Sequence, residues 1–228
     1  MTSLRAHYEA KYEGADVAAP ARRTARPRDR FEMCVSLAAG GEALLDVGAG
    51  SGTVALALRP LYRRILLTEY AQPRVELLRS LGFEVCAGAI EDGLPCEEST
   101  FDTIVLNAVI EHLIDPLAVL AYLHGLLKPG GELIITTPNL AKWTRRIKLA
   151  VGRFPSTASA GEGLVSYDGG ATDLYDEGHL HYFTFRSLER CLNRAGFVQM
   201  ERHGFPGRLA QARPTLFSTD CVVVARRG

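Results

Sequence analysis

Two histidines separated by one leucine stand in Asp176-Glu177-Gly-His179-Leu-His181-Tyr-Phe-Thr-Phe185, with acids just before them and aromatics just after. Imidazole exchanges a proton near neutral pH, and in its neutral form it ligates metals. On an extended strand His179 and His181 share a face, where Asp173, Asp176 or Glu177 could add a carboxylate. The spacing names no convergent third ligand, so no metal is assigned. Two other roles stay open: a ring bonded to backbone that fixes this segment, or a group that orients or deprotonates a bound molecule. His179 is assigned to a cleft and His181 to structural contact. His112, in Ile110-Glu-His-Leu113, is a third candidate, either bracing its turn or taking part in the chemistry. The catalytic set is therefore His179, His181 and His112.

A second cluster binds rather than reacts. Asp46-Val-Gly48-Ala49-Gly50-Ser-Gly52-Thr53 follows an apolar run. Glycine at these positions lets backbone approach a ligand closely while the N–H groups of the next helix point into the same space. The pattern is G-x-G-x-G and misses the G-x-G-x-x-G dinucleotide fingerprint by one position, which disfavours a pyrophosphate. Glu69 lies 21 positions after Gly48, placed to accept both hydroxyls of a ribose. A nucleoside without a pyrophosphate fits better. Asp46 and Asn107 can also be read as polar groups that stabilise turns.

These residues need a frame. Apolar runs recur at 43–47, 64–68, 83–87, 103–107 and 133–137 without polar alternation, as expected of strands covered on both faces. Helical stretches lie between them. The clearest is 116–128, capped by Asp115, begun by Pro116, striped by Leu120, Leu123, Leu126 and Leu127, and closed by Lys128-Pro129-Gly130-Gly131. Strand and helix alternate, so the fold class is α/β, a doubly wound sheet with right-handed crossovers. Beyond 185, Thr184 caps a helix stapled by Phe183 and Leu188 and stopped by Gly196. Segments 197–202 and 218–227 then add two strands, the last antiparallel and inserted in the sheet, which makes seven.

Two stretches break the pattern. Residues 20–30 carry five arginines and two prolines and read as a solvated linker, with an anion grip as the alternative. Residues 151–180 are rich in Gly, Ser and Ala, yet keep Leu164, Val165, Tyr167, Leu174 and Tyr175, which favours a lid over a plain connection.

Composition narrows the partners. Across 228 residues the 26 basic and 26 acidic side chains cancel, which gives no global field for nucleic acid or an anionic membrane. Five cysteines form no C-x-x-C pair, so neither a zinc site nor a disulfide framework is expected. The start of the chain lacks a signal-peptide core, and no apolar run is long enough to span a bilayer. The expectation is a single cytoplasmic domain over 1–228, with 1–40 as N-terminal helices and linker and 141–185 as a lid insertion after strand five. It would be a monomer or homodimer without membrane insertion.

The sequence resembles the class I S-adenosylmethionine (SAM) dependent methyltransferases. The resemblance rests on LLDVGAGSG at 44–52, Glu69, GAIEDGLPCEESTFDTIVLNAVIEHL at 88–113 and LLKPGGELIITTPN at 126–139. It implies the Rossmann-like methyltransferase fold, with SAM as methyl donor and S-adenosylhomocysteine as product. By similarity, Asp46, Gly48, Ala49, Gly50 and Gly52 would hold the methionine part, Glu69 the ribose and Tyr70 the adenine face. Ile90 and Glu91 would meet the adenine edge, and Asn107 would lie beside the methionine end. Relatives often carry an acid where Ala89 stands. Tyr8 and Tyr12 are similar to aromatics folded over SAM in many relatives, or they pack on the domain. Enzymes that methylate bases in nucleic acids carry Asp/Asn-Pro-Pro-Tyr after strand four, whereas this chain reads Asn107-Ala-Val-Ile110, so a small-molecule acceptor is expected. The C-terminal third is similar to a bacterial subgroup near the ubiquinone-type O-methyltransferases, often associated with natural products or surface glycans. O-methylation is the first reading. N-methylation of a small molecule and a non-catalytic SAM-fold regulatory subunit remain alternatives, with a nicotinamide-dependent dehydrogenase behind them.

Overall fold

Consecutive residues of the central strands serve opposite cores, which is why the apolar runs do not alternate with polar residues. A computed structural model describes residues 19–157, 176 and 178–228; Tyr8, Tyr12, Asp173, Glu177 and residues 158–175 lie outside the described residues. In β1 (Gly41–Val47), Leu45 and Val47 enter one cluster and Leu44 the other; in β4 (Phe101–Asn107), Ile104 and Leu106 oppose Val105 in the same way. A strand packed on both faces has no solvated side on which to place polar residues.

The remaining strands are β2 (Tyr62–Glu69), β3 (Glu84–Ala87), β5 (Leu127–Pro138), β6 (Phe197–His203) and β7 (Asp220–Arg227). Their order is β3-β2-β1-β4-β5-β7-β6. β1 pairs in parallel with β2 on one side and β4 on the other, so the chain reverses its winding between β1 and β4. In open α/β sheets ligands bind in the crevice outside that switch point. β7 is antiparallel to both β5 and β6, between which it lies, as the sequence implied.

The helices are α1 (Arg30–Leu37), α2 (Thr53–Leu58), α3 (Gln72–Ser80), α4 (Pro116–Leu126), α5 (Trp143–Ala150), α6 (Phe185–Arg194), α7 (Gly207–Ala212) and α8 (Pro214–Phe217). Asp115 caps α4 by accepting from the Ala118 amide at 3.0 Å, with Pro116 in the first turn. The helix ends at Leu126, two residues short of the expected Lys128, because fully buried Leu127 is extended and pairs with Phe101. The Lys128–Gly131 stretch is thereby drawn into β5 across a shift of register rather than forming a separate turn. Thr184 caps α6 in a reciprocal box with Ser187, and Phe183 and Leu188 share one core cluster.

The arginine-rich stretch is irregular and largely exposed up to the helix, as a solvated linker should be, but two of its arginines are tied to the domain. Arg23 donates to the carbonyls of Ala38 (2.8 Å) and Val35 (3.3 Å), which α1 leaves without helical partners, and the Arg30 guanidinium lies 3.8 Å from Asp220. Arg22 and Arg26 stay exposed.

Candidate functional site

The glycine turn at the end of β1 is built for close approach. Gly48 has φ +68, and a Cβ there would meet Val109 Cγ2 at 2.6 Å. Only glycine lets the turn after β4 pack against the turn after β1. Gly52, at φ +79, opens α2 with no side-chain cap. The Gly48 amide donates to Thr68 Oγ1 at 3.1 Å, and the Gly50 amide to Glu69 Oε2 at 2.9 Å.

Two carboxylates meet at this turn. Glu69 Oε1 accepts from the amides of Tyr70 (2.8 Å) and Ala71 (2.9 Å). A carboxylate offers about four acceptor sites, so three are taken by backbone and one further donor can be received. Asp46, 2% exposed, has no hydrogen-bond partner at Oδ2 among the described residues. Burial, and then the neighbouring Glu69 charge, push its carboxyl up to about 7. A buried polar atom without a partner is uncommon and suits an absent donor. These residues fit a ligand with a cationic or N–H group near Asp46 and a hydroxyl near Glu69.

The other predicted binding residues border the same crevice by position in the chain. Tyr70, directly after β2, and Asn107, the last residue of β4, are half-buried, and Asn107 Oδ1 accepts from Thr136 Oγ1 at 2.6 Å. Ala108 follows at φ +55, held by its amide to Thr136. Ile90 is buried in the core, whereas Glu91 is exposed and its Oε1 accepts from the Ile114 amide at 3.0 Å.

The histidines resolve into a pair and an outlier. The segment containing them returns over the carboxyl ends of β4 and β5. Phe183 bridges to Asn139, and the amides of Leu180 (2.8 Å) and His181 (3.1 Å) both donate to the Glu111 carbonyl. His179 thereby comes against His112, their rings 4.9 Å apart at 76°. One ligating atom each of Glu111, His112 and His179 lies within 4.8 Å of the other two. His181 is outside this group, its ring tilted against Phe183 at 6.3 Å.

Both rings of the pair are oriented from behind. His112 Nδ1 lies 2.7 Å from the Gly178 carbonyl, which can only accept, so that nitrogen carries the proton. Thr157 Oγ1 donates to Asp176 Oδ2 and therefore accepts from His179 Nδ1 at 2.8 Å. In its neutral form each ring would then keep its lone pair on Nε2. Asp176, 4% exposed, also takes the Ser156 hydroxyl and the Thr157 amide, and lies 3.7 Å from His179 Nδ1.

Glu111, Thr157 and the orienting role of Asp176 were not read from the sequence. Glu111 is 1% exposed, and neither carboxylate oxygen has a hydrogen-bond partner among the described residues. Burial pushes its carboxyl up to about 8, opposed by its own amide, the nearby Thr137 hydroxyl and the charge of Arg30. The signal available was an acid beside His112 between apolar Ile110 and Leu113; Thr157 offered none.

Comparison with known proteins agrees with this geometry. The chain is 30% identical over 113 residues to a ubiquinone biosynthesis O-methyltransferase of Xanthomonas campestris pv. campestris, covering 47% of each protein. It is 33% identical over 105 residues to that of Xylella fastidiosa, covering 43% of each. The matched stretch thus spans less than half the length of these curated relatives. Among solved structures, a SAM-dependent methyltransferase from Thermotoga maritima superposes with a TM-score of 0.62 at 18% identity, over 87% of this chain and 88% of that one. One from Methanosarcina mazei gives 0.61 at 19%, over 86% and 96%. A methyltransferase-domain family model matches residues 18–201. With that match across most of its length and the fold of SAM-dependent enzymes, the chain belongs to the methyltransferase domain family.

Proposed function

We propose that this domain transfers a methyl group from SAM to an oxygen of a small, partly aromatic acceptor. The observation that carries the reading is the meeting of two sets of groups across the close packing of Gly48 on Val109: Asp46 beside the glycine turn, whose Oδ2 has no hydrogen-bond partner among the described residues, and the oriented His112–His179 pair beyond β4. SAM supplies an electrophilic methyl on a cationic sulfur. Asp46 and the glycine turn would hold its amino-acid end, Glu69 a ribose hydroxyl, and Tyr70, Ile90 and Glu91 the base, with Asn107 beside the methionine end.

In-line displacement asks mainly for alignment and exclusion of water. A hydroxyl acceptor must also lose a proton, which favours oxygen chemistry where two imidazole rings lie side by side. Tyr182 stands 6.4 Å from His179, and Phe154 6.4 Å from Tyr182, ring to ring. This aromatic wall favours a phenolic or other planar acceptor, such as a natural-product precursor; a glycan hydroxyl is the second choice. The same reading places the domain in the cytosol, its five thiols free, as a monomer or homodimer over 1–228. No helix among the described residues is long and apolar enough to cross a membrane.

The test is transfer of isotope-labelled methyl from SAM to a panel of phenols, catechols, amines and sugars, with SAM affinity measured by calorimetry. His179→Ala should lower turnover about a hundredfold or more, in the range of general acid–base effects, with SAM affinity changed less than twofold. Failure to bind either SAM or S-adenosylhomocysteine overturns the reading. Transfer confined to amines moves the acceptor atom to nitrogen, and binding without transfer to any acceptor supports a non-catalytic subunit.

A further inference from the structure

We propose that the groove between the arginine-rich stretch and the end of β6 is a binding site for a small phosphate monoester. A cavity of about 300 Å³ lies there, at the lower end of the range for small-molecule sites. Thr24, Ser36, Arg202, His203 and Gln211 give it a polar lining, and Met33 and Leu37 of α1 an apolar one. None of these residues is among those assigned to SAM or to the acceptor, so the inference goes beyond the methyltransferase reading. By composition residues 20–30 admit an anion grip, and the fold supplies its other half.

Both walls of the cavity are held in place. On one side the Thr24 amide donates to Ser36 Oγ at 3.0 Å and the Ala21 amide to the Thr53 carbonyl at 3.1 Å, while Arg23 is tied to the end of α1. On the other, Gly204 also lines the cavity, and a Cβ there would collide with the Ala210 carbonyl, so only glycine lets α7 fold back on the end of β6. His203 Nε2 is buried with no hydrogen-bond partner among the described residues, the Glu201 carboxylate standing 3.8 Å away. A buried ring nitrogen left in that state suits an absent partner.

Charge and donor geometry set the ligand class. The chain as a whole is neutral, yet exposed Arg26 adjoins one wall and exposed Arg208 and Arg213 the other, with no ion pair among the described residues. The nearby acids are engaged: Asp29 caps α1, Glu32 takes the Arg28 amide and lies 3.5 Å from its guanidinium, and Glu189 binds Arg202. A local excess of positive charge on a neutral molecule draws anions to that face. Arg202 spends N–H groups on Glu189 and Thr215, and a guanidinium has five, so two remain. With the Gln211 amide and the Thr24 hydroxyl, donors come from three separate segments. That spread suits the three terminal oxygens of a phosphate better than the two coplanar oxygens of a carboxylate, and Met33 and Leu37 suit an apolar ester group.

The protein should be titrated by calorimetry with phenyl phosphate, glycerol 3-phosphate and inorganic phosphate, with benzoate as the carboxylate control. One equivalent of phenyl phosphate should bind saturably, roughly tenfold more tightly than benzoate. Arg202→Ala removes the fork, and Ala25→Trp fills the cavity from an exposed position; each should weaken that binding about tenfold or more. The Arg202–Glu189 pair is exposed, so its loss changes stability little, and a melting temperature for each variant separates loss of the site from loss of the fold. SAM affinity should stay within twofold in both variants. The site is overturned by no saturable binding of any of the three phosphates, by binding unchanged in either variant, or by displacement of the phosphate by SAM. Attraction to all four anions alike that vanishes as salt is raised is surface charge alone and overturns it too. Failure to bind SAM sinks the methyltransferase reading and not this site.

Discussion

Asp46 is a carboxylic acid that the fold holds away from water, with Glu69 as the neighbouring like charge and the Cys34 thiol of α1 also within its field. Its pKa stands at about 7 against an ordinary 3.8. Between those values the folded chain holds the proton and the unfolded chain does not, so this residue makes stability fall as pH rises from about 4 to about 7. Asp46→Asn should therefore gain stability relative to the parent at pH 8 and not at pH 4, as read by urea unfolding at both. A cation at Oδ2 reverses the preference. SAM affinity should rise up to about tenfold from pH 6 to pH 8 in the parent, following the ionised fraction, and stay flat in Asp46→Asn. At this scale the sequence was partly legible. The glycine spacing marked Asp46 and Glu69, and the histidines marked themselves by type. Glu111 went unassigned because a carboxylate beside an apolar run looks the same exposed or buried; only the packing of the turn after β4 against β5 puts it at 1% exposure. His179 and His112 are 67 positions apart, a contact no local period encodes.

Capping chemistry was the most readable layer among the elements. Thr184 and Ser187 close a reciprocal box at the start of α6, directly after the histidine segment. Thr184→Ala should cost about 1 kcal/mol, lowering the melting temperature by about 2–4 °C for a chain of this size, as followed by calorimetry. Because Phe183 bridges to Asn139 from the preceding position, a frayed cap would also loosen the return of His179. Turnover in Thr184→Ala should then fall more steeply with temperature than in the parent. The short elements escaped the sequence. α7 and α8 have six and four residues, too few for a 3.6-residue period to show, and α5 presents Trp143, Ile147 and Leu149 to solvent rather than to a core. The end of α4 was misplaced because Leu127 continues the helix's apolar stripe while its backbone joins β5. The arginines of 20–30 looked like a solvated run, since charge alone cannot reveal that Arg23 reaches the last carbonyls of α1.

For the whole molecule, the doubly wound plan was legible because five apolar runs and their intervening helices admit few connections. The place of the last strand follows from the same rule read backwards, since β7 enters the interior of the sheet rather than extending its edge. That placement has a consequence for how the protein is made. β6 pairs with β7 and not with β5, so residues 197–203 cannot join the sheet before residues 220–227 exist. Until then Leu133, Ile134 and Ile135, all fully buried in the finished protein, form an open apolar edge on a nascent chain. A chain stopped at Thr219 should accumulate as aggregate, whereas one carrying Val223→Ala should fold with a loss of about 1–3 kcal/mol; solubility in a cell-free translation reaction distinguishes them. Stalled ribosomes bearing the truncated chain should recruit a holdase chaperone that leaves when translation through Arg227 resumes, so the vulnerable interval in this protein's synthesis is its last eight sheet residues.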